Sequence, residues 1–449
     1  MERRKRIGCI MANPEHVYAQ RILAGLQAQC TEYNYDLLVF TPMSSLGITQ
    51  SDYLKAELNI FNLINFDLLD GVVVVPLTLL VNNDYSVIEA VQKLIDEKCT
   101  KPVVSIDYKL ADFETVYTDD KTPFFSILNH LVNVHACKNF IFLSGPEDSE
   151  TGNIRVEAVK EAAKQLNVPE KNIEIMYGDF WYTSGNQLAE RIVSGEFEMP
   201  DAIICANDYM ALGLENTFRQ NNYSIPEDVI ITGYDSSQDG LLNDVTITSY
   251  IPKNKRVAME AVNKIHEIIS PDEQTVEGKI DNEDGLCVAK SCGCEDSNLY
   301  LKQSVSGYLY RVNRNEGYGV KVNSFDIGRL MESHMFEALA SEEDLQKCLE
   351  AINISAYLLE PFDAFYLCLC KDWLDTTVNR EKGYSDTMIG AISKLSKYHP
   401  DFTDGKNKTC LLPEFWLYVK EMLPKLKKDW QTSNTYLFVP VHFEKITFG

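Results

Sequence analysis

The side chains best suited to chemistry are polar or aromatic residues at or shortly after the ends of strand-like runs: Asn13, Asp107, Arg155, Phe180, Trp181, Asn207 and Asp235. An Asn amide offers donors and acceptors, an Asp carboxylate accepts two hydroxyl hydrogens, and an Arg guanidinium donates in a rigid fork. Phe180 and Trp181, after Gly178-Asp179, supply aromatic faces of the kind on which the C–H side of a pyranose stacks, with at most one of the two stacking. Such a set fits a polyol. Each residue also has a plainer use. Asn207 and Asp208 precede a helix and either can cap it, a role assigned mainly to Asp208. Arg155 can pair on the surface with Glu150 or Glu157, Asp235 can shape the Asp-Ser-Ser turn, and the two aromatics can belong to a core.

Other reactive residues are less suggestive. The twelve cysteines are scattered, several of them in apolar runs such as Ile203-Ile204-Cys205-Ala206 and Leu367-Cys368-Leu369-Cys370, and read as buried reduced thiols. Cys292-Gly293-Cys294 has the spacing of a metal-ligand pair or redox switch, but no second pair or nearby His is evident to complete a site. His130 and His135 stand five apart, off a common helix face. No metal, cofactor or catalytic residue is therefore assigned. Phosphate-cradling glycine loops, GxSxG elbows and HExxH pairs are absent from the sequence, which argues against an enzyme.

The elements that must position these residues alternate. Strand-like runs Arg6 to Ala12, Tyr35 to Phe40, Leu69 to Pro76 and Pro102 to Asp107 are separated by helices near 19–30, 54–64 and 87–97. A second round opens at Thr115 to Thr118 and runs through strands at 139–144, 173–177, 202–206 and 229–234, with helices between them. Short β-branched runs between amphipathic helices mark α/β architecture, here two doubly wound parallel-sheet lobes with a cleft facing the carboxyl ends of both sets of strands. The sensor unit is expected to span 1–295, with lobe 1 at about 1–109 and 248–275 and lobe 2 at about 110–247 and 276–294. A polar linker at 296–306 leads to a smaller α+β module at 307–449. In that module Ile327, Leu330, Met331, His334, Met335 and Leu339 form one helical stripe, and Ser341 with Asp344 caps a helix carrying Leu345, Leu349 and Ile352. Strand-like runs at Ala364 to Cys370 and Tyr436 to Phe443 complete it, and the chain stops at Thr447-Phe448-Gly449 where a return strand is expected, as in a piece of a longer protein.

Composition narrows the function classes. Lys and Arg number 42 against 66 Asp and Glu, and a net charge of -24 repels a phosphate backbone, so direct nucleic-acid binding is not expected. The basic start Met1-Glu2-Arg3-Arg4-Lys5-Arg6 is followed by an apolar run that stops at Asn13, too short for an export signal. No segment approaches the roughly 18 apolar residues of a membrane helix. A cytoplasmic location and no membrane partner are expected.

The segment Ala206-Asn207-Asp208-Tyr209-Met210-Ala211-Leu212-Gly213, followed by Ile225-Pro226-Glu227-Asp228-Val229 and Thr232-Gly233-Tyr234-Asp235, resembles the sensor domain of the LacI/GalR repressor family. The likeness covers residues 6 to about 294, including a turn at Gly145-Pro146 and a helix opened by Arg155. It implies a periplasmic-binding-protein-like fold of type I and a homodimer. It also implies that Arg155, Asn207 and Asp235 bind effector, with Asn13 and Asp107 facing them from the other lobe. No helix-turn-helix precedes the first strand, so the output is expected elsewhere. The region from 300 onward resembles the GAF-like segment that follows such sensors in diguanylate cyclase (GGDEF) proteins, without a cyclase motif. The reading is a sensor of a small polar ligand, a sugar by preference, that closes its lobes to signal to the carboxyl module. Two alternatives stay open: a cleft that docks a protein instead, and the sensor part of a transcription factor whose DNA-binding module lies outside this sequence.

Overall fold

The computed structural model describes residues 3–42, 51–80, 84–276, 278–279 and 285–297 and, beyond them, segments of which 344–355, 364–375, 383–395 and 433–443 are the longest. Lobe 1 is built from β1 (Arg6–Ile10), α1 (Val17–Glu32), β2 (Asp36–Phe40), α2 (Ser51–Leu58), β3 (Gly71–Val74), α3 (Ser86–Lys98), β4 (Val103–Ile106) and β5 (Glu114–Val116). Its strands are parallel in the order β2-β1-β3-β4-β5, the doubly wound arrangement. Alternate side chains of β2 serve opposite faces: Leu37 and Val39 belong to the core that holds Ile22 and Leu26 of α1, whereas Leu38 and Phe40 belong to the core that holds Ile88 and Val91 of α3. Apolar residues on both faces are required because helices cover both.

Lobe 2 repeats the plan with α4 (Lys121–Asn133), β6 (Phe140–Ser144), α5 (Glu150–Gln165), β7 (Ile173–Tyr177), α6 (Tyr182–Val193), β8 (Ala202–Cys205), α7 (Asp208–Gln220), β9 (Ile230–Thr232) and α8 (Gln238–Leu242). Its strand order is β7-β6-β8-β9, around one continuous apolar core. The chain then passes through β10 (Ser249–Ile251) back to lobe 1, where α9 (Asn254–Ile269) packs on α1, and returns to β11 (Gly285–Cys287), antiparallel to β10. The second round was expected to open at Thr115 to Thr118. Instead Glu114–Val116 is the edge strand of the first sheet, because Val116 buries its side chain in the lobe 1 core.

Beyond residue 309 lie the hairpin β12 (Tyr310–Asn313) and β13 (Val320–Asn323), the helix α10 (Leu345–Ser355), and an antiparallel sheet of β14 (Ala364–Cys370), β15 (Thr387–Leu395) and β16 (Trp416–Tyr418). Leu349 of α10 packs on Leu369, Ala391 and Ile392. Asp344 accepts the Gln346 N–H at 2.9 Å, a first-turn contact of the kind expected for it. The stripe from Ile327 to Met335 falls outside the described residues. The final run was expected to pair within this module. Its strand, β17 (Thr435–Phe438), instead extends lobe 1 by pairing in parallel with β2, from Thr435 opposite Leu37 to Phe438 opposite Phe40.

The edge of β2 explains that choice, since an apolar strand with unpaired N–H and C=O groups is a template for another strand. Leu37 donates to the Asn434 carbonyl at 2.9 Å and Thr41 to the Phe438 carbonyl at 3.1 Å. The Phe40 and Phe438 rings stack at 4.7 Å. Asp36 accepts the Asn434 N–H at 3.0 Å and the Arg4 guanidinium at 3.1 Å. Past β17 come the two short strands β18 (His442–Phe443) and β19 (Ile446–Thr447). His442 reaches the buried Glu57 carboxylate at 2.9 Å, and Asn59 donates to Thr447 at 2.9 Å. Among the described residues no helix is long and apolar enough to cross a membrane, and no disulfide joins the described cysteines.

At the start of α7 the two candidate caps divide their work differently from expectation. Asn207 is the N-cap, accepting the Met210 N–H at 3.0 Å. Asp208 is already helical and fully buried, and it accepts the Ser237 N–H and, at 2.6 Å, the Ser249 hydroxyl, tying α7 to β10 and to the turn after β9. The approach leaves room only for glycine at 233, where a Cβ would lie 2.1 Å from Asp208 Oδ1. Burial raises the Asp208 carboxyl to about 7 despite its two donors.

Two outcomes follow. Phe438→Ala removes a half-buried ring and is expected to cost roughly 1–3 kcal/mol of local stability, lowering hydrogen-exchange protection at the Leu37 and Thr41 amides by about 10- to 100-fold. With a folded-state pKa above its unfolded value, Asp208 takes up a proton on folding. Its contribution is thus largest below about pH 4 and is lost as the pH rises through about 7. Denaturant unfolding of Asp208→Asn across this window should differ from wild type in slope by up to about 1.4 kcal/mol per pH unit.

Candidate functional site

The carboxyl ends of the strands in both lobes carry the candidate residues. Asn13 follows β1, Asp107 follows β4, Phe180 lies past β7, Asn207 follows β8 and Asp235 lies past β9. Arg155 projects from α5, which follows β6 and the Gly145-Pro146 turn. Four of these non-glycine residues hold left-handed backbone: Asn13 (φ 49°), Asp107 (φ 58°), Phe180 (φ 63°) and Asp235 (φ 94°), with Ser236 (φ 47°) beside the last. Asn and Asp tolerate that region better than most residues, whereas Phe180 and Ser236 are held there by their surroundings.

Arg155 is the centre of the arrangement. Its side chain is 13% exposed and lies 3.5 Å from an Asp120 carboxylate that is 11% exposed. One terminal nitrogen donates to the Ala206 carbonyl at 2.7 Å, and the guanidinium lies 4.3 Å from the centre of the Tyr234 ring and 5.9 Å from that of Phe180. Tyr234 is itself buried, stacks on Phe124 and donates its hydroxyl to Asp120 at 2.9 Å. A buried cation is retained only where anions and acceptors replace its water. Here Asp120 and the Ala206 carbonyl do so, while the Arg155 Nε makes no hydrogen bond among the described residues. The surface pairing of Arg155 with Glu150 or Glu157 does not occur.

The lobes touch through this region. Arg21 of α1 donates to the Asp235 carbonyl and, at 3.2 Å, to the Ser236 carbonyl. Tyr18 of α1 donates to Asp107 at 2.8 Å, and Thr118, on the crossing between lobes, binds the same carboxylate through its N–H and through its hydroxyl at 2.9 Å. Asn254, where the chain re-enters lobe 1, donates to the Thr118 hydroxyl at 3.1 Å. Asp107 therefore spends both carboxylate oxygens on the hinge. Burial, the largest influence on each, holds the Asp107 and Asp235 carboxyls above the ordinary range. The Arg155 and Arg21 guanidinium groups partly offset this for Asp235.

Asp107, Arg155, Phe180, Asn207 and Asp235 thus gather around one charged cluster. Asn207 uses one donor on the Phe180 carbonyl at 2.8 Å and one lone pair on its cap, leaving a second of each. Asn13 donates to the Thr78 carbonyl of its own lobe at 3.1 Å. Trp181 is turned away, half exposed and stacked on Tyr209 at 5.4 Å. Sequence reading missed Asp120, Tyr18, Arg21 and Tyr234. The last was visible inside Gly233-Tyr234-Asp235. Asp120 was signalled by the tandem Asp119-Asp120 before α4, where Asp119 caps the Lys121 and Thr122 amides and leaves Asp120 for Arg155.

Residues 128–292 match the family model of the periplasmic binding protein-like domain. The chain is 23% identical over 271 residues to the HTH-type transcriptional repressor PurR of Vibrio vulnificus (strain CMCP6), covering 60% of this chain and 75% of that protein. It is 23% identical over 254 residues to Catabolite control protein A of Priestia megaterium, covering 55% of this chain and 69% of that one. A crystal structure of the lac repressor dimer bound to operator and the anti-inducer ONPF aligns at 17% identity with a TM-score of 0.48, over 65% of this chain and 94% of the other. The chain thus carries the likeness of a periplasmic binding protein-like domain over residues 128–292, and its similarity to PurR extends over 60% of its length.

Proposed function

We propose that the cleft binds a small polar ligand, a sugar or related polyol by preference, and that closure of the lobes on it is the signal. The observation that carries this reading is the Arg155 cluster, a buried guanidinium whose Nε faces Asp120 at 3.5 Å without a hydrogen bond, with Asp235 and Asp107 close enough to act on its charge. Left-handed backbone gathers on the strand ends around it, and strain of this kind collects where side chains must be held in fixed aim. A polyol replaces water at such groups one hydroxyl at a time, with the Phe180 ring as the apolar wall.

Transmission follows from how the carboxyl segment is attached. The chain leaves lobe 2 past β11, with Ser297 donating to the Val288 carbonyl at 3.0 Å, yet β17 is hydrogen-bonded to β2 of lobe 1. A change in the angle between the lobes is thereby felt by the segment fastened to both, which the sequence reads as GAF-like. The PurR and catabolite control relatives are regulators by name, and a regulatory role for this chain accords with that.

The test is thermal unfolding against sugars, sugar phosphates, nucleosides and amino acids. A ligand at 100 times its dissociation constant adds about 2.7 kcal/mol, a rise on the order of 5 °C. One ligand class should shift wild type and fail to shift Asp235→Asn, a change that suits the left-handed backbone at 235. A shift retained in that variant would move the site elsewhere. No shift across the panel would favour a protein-docking cleft.

A further inference from the structure

The strongest feature outside the cleft joins two parts of lobe 2 that are distant in sequence. His130 lies in the last turn of α4, and His135 follows the helix end at Val134, in a turn whose Ala136 is left-handed (φ 56°). Cys292 closes a short 3-10 turn at Lys290–Cys292, and Cys294 follows Gly293. The Nε2 atoms of the two imidazoles lie 3.1 Å apart. Cys292 Sγ is 3.5 Å from His130 Nε2, and Cys294 Sγ is 3.7 Å from His130 Nε2 and 3.6 Å from His135 Nε2. All four ligand atoms fall within 4.8 Å of one another.

Hydrogen bonding alone accounts poorly for this convergence. A ring nitrogen has one in-plane lone pair or one N–H, so His130 Nε2 can satisfy only one of the three groups that face it. A cation at the centre satisfies all of them. For a tetrahedral zinc with bonds of about 2.3 Å to sulfur and about 2.0–2.1 Å to nitrogen, the edges of the tetrahedron are about 3.4–3.8 Å, a span that holds the three sulfur–nitrogen separations here, while the two nitrogens stand closer and the whole set spreads to 4.8 Å. Gly293 supplies the left-handed step (φ 83°) that turns both sulfurs to one side. The expectation that no His completes the Cys-x-Cys pair is thereby corrected. Five residues along a helix would set His130 and His135 on different faces, but the helix ends between them.

We propose that His130, His135, Cys292 and Cys294 form a structural zinc site. Two thiolates and two imidazoles are the donor set that borderline-soft Zn²⁺ prefers over Mg²⁺ or Ca²⁺, and four protein ligands close the coordination shell. Binding converts two thiols to thiolates and releases two protons. The site fastens the point at which the chain leaves lobe 2 to the far end of α4, the helix that follows Asp120. It stands independently of the ligand proposed for the cleft.

The experiment is metal analysis of the full chain, purified without a polyhistidine tag, by mass spectrometry, together with the absorption spectrum after Co²⁺ exchange. The expected result is about one zinc per chain and the thiolate charge-transfer and intense d–d bands of a tetrahedral Co²⁺ site. Cys292→Ser with Cys294→Ser should abolish both. Should that double variant not fold, His135→Gln, measured by competition with a chromogenic chelator, is expected to bind zinc more than about tenfold more weakly. Zinc retained undiminished by the cysteine variant would overturn the assignment. So would a zinc-dialysed chain that holds no stoichiometric metal, or one whose Cys292 and Cys294 are isolated as a disulfide.

Discussion

A guanidinium taken out of water and held between the sheets is the constraint around which the rest is arranged. Arg155 can be buried only because Asp120 stands beside it, and Asp120 is available only because Asp119 takes over the capping of α4. Tyr234 closes the set, giving its ring face to the cation and its hydroxyl to the anion. These groups come from α5, from the crossing between lobes and from the end of β9. Their mutual demands fix the relative placement of three segments that apolar packing alone would leave free to slide.

The same logic governs the hinge. Asp107 gathers Tyr18 and Thr118, and Thr118 in turn accepts from Asn254, so two crossings between the lobes are bound to one strand end. Arg21 reaches across to backbone carbonyls of the turn after β9. Contacts made by long side chains to carbonyl groups can be exchanged for water or ligand at small net cost, since each bond is worth about 1 kcal/mol net. That is a property suited to an interface that opens.

Much of this was legible in sequence because strands buried on both faces leave an unmistakable mark. Val72-Val73-Val74 and Ile203-Ile204-Cys205 read as central strands and are. Residues at strand ends could be placed for the same reason. What was not legible depended on partners distant in the chain. Nothing near Asp208 announces Ser237 and Ser249, so capping seemed its natural task. Thr435–Phe438 reads as an ordinary strand and says nothing about which sheet it joins. His130 and Cys292 are 162 residues apart, and only the turn after α4 brings their neighbourhoods into one place.

The pairing of β17 with β2 also orders events in time. Asp36 and the Asn434 amide that it accepts are separated by 398 positions, so all the residues between them must be made before that edge is covered. At synthesis rates of about 5–20 residues per second, the interval is on the order of 20–80 s. Throughout it the nascent first lobe carries a five-residue strand, every residue of which ends up buried, with one side unclaimed. The ribosome-bound chain therefore has a defined period of exposure, closed only when Thr435–Phe438 has emerged.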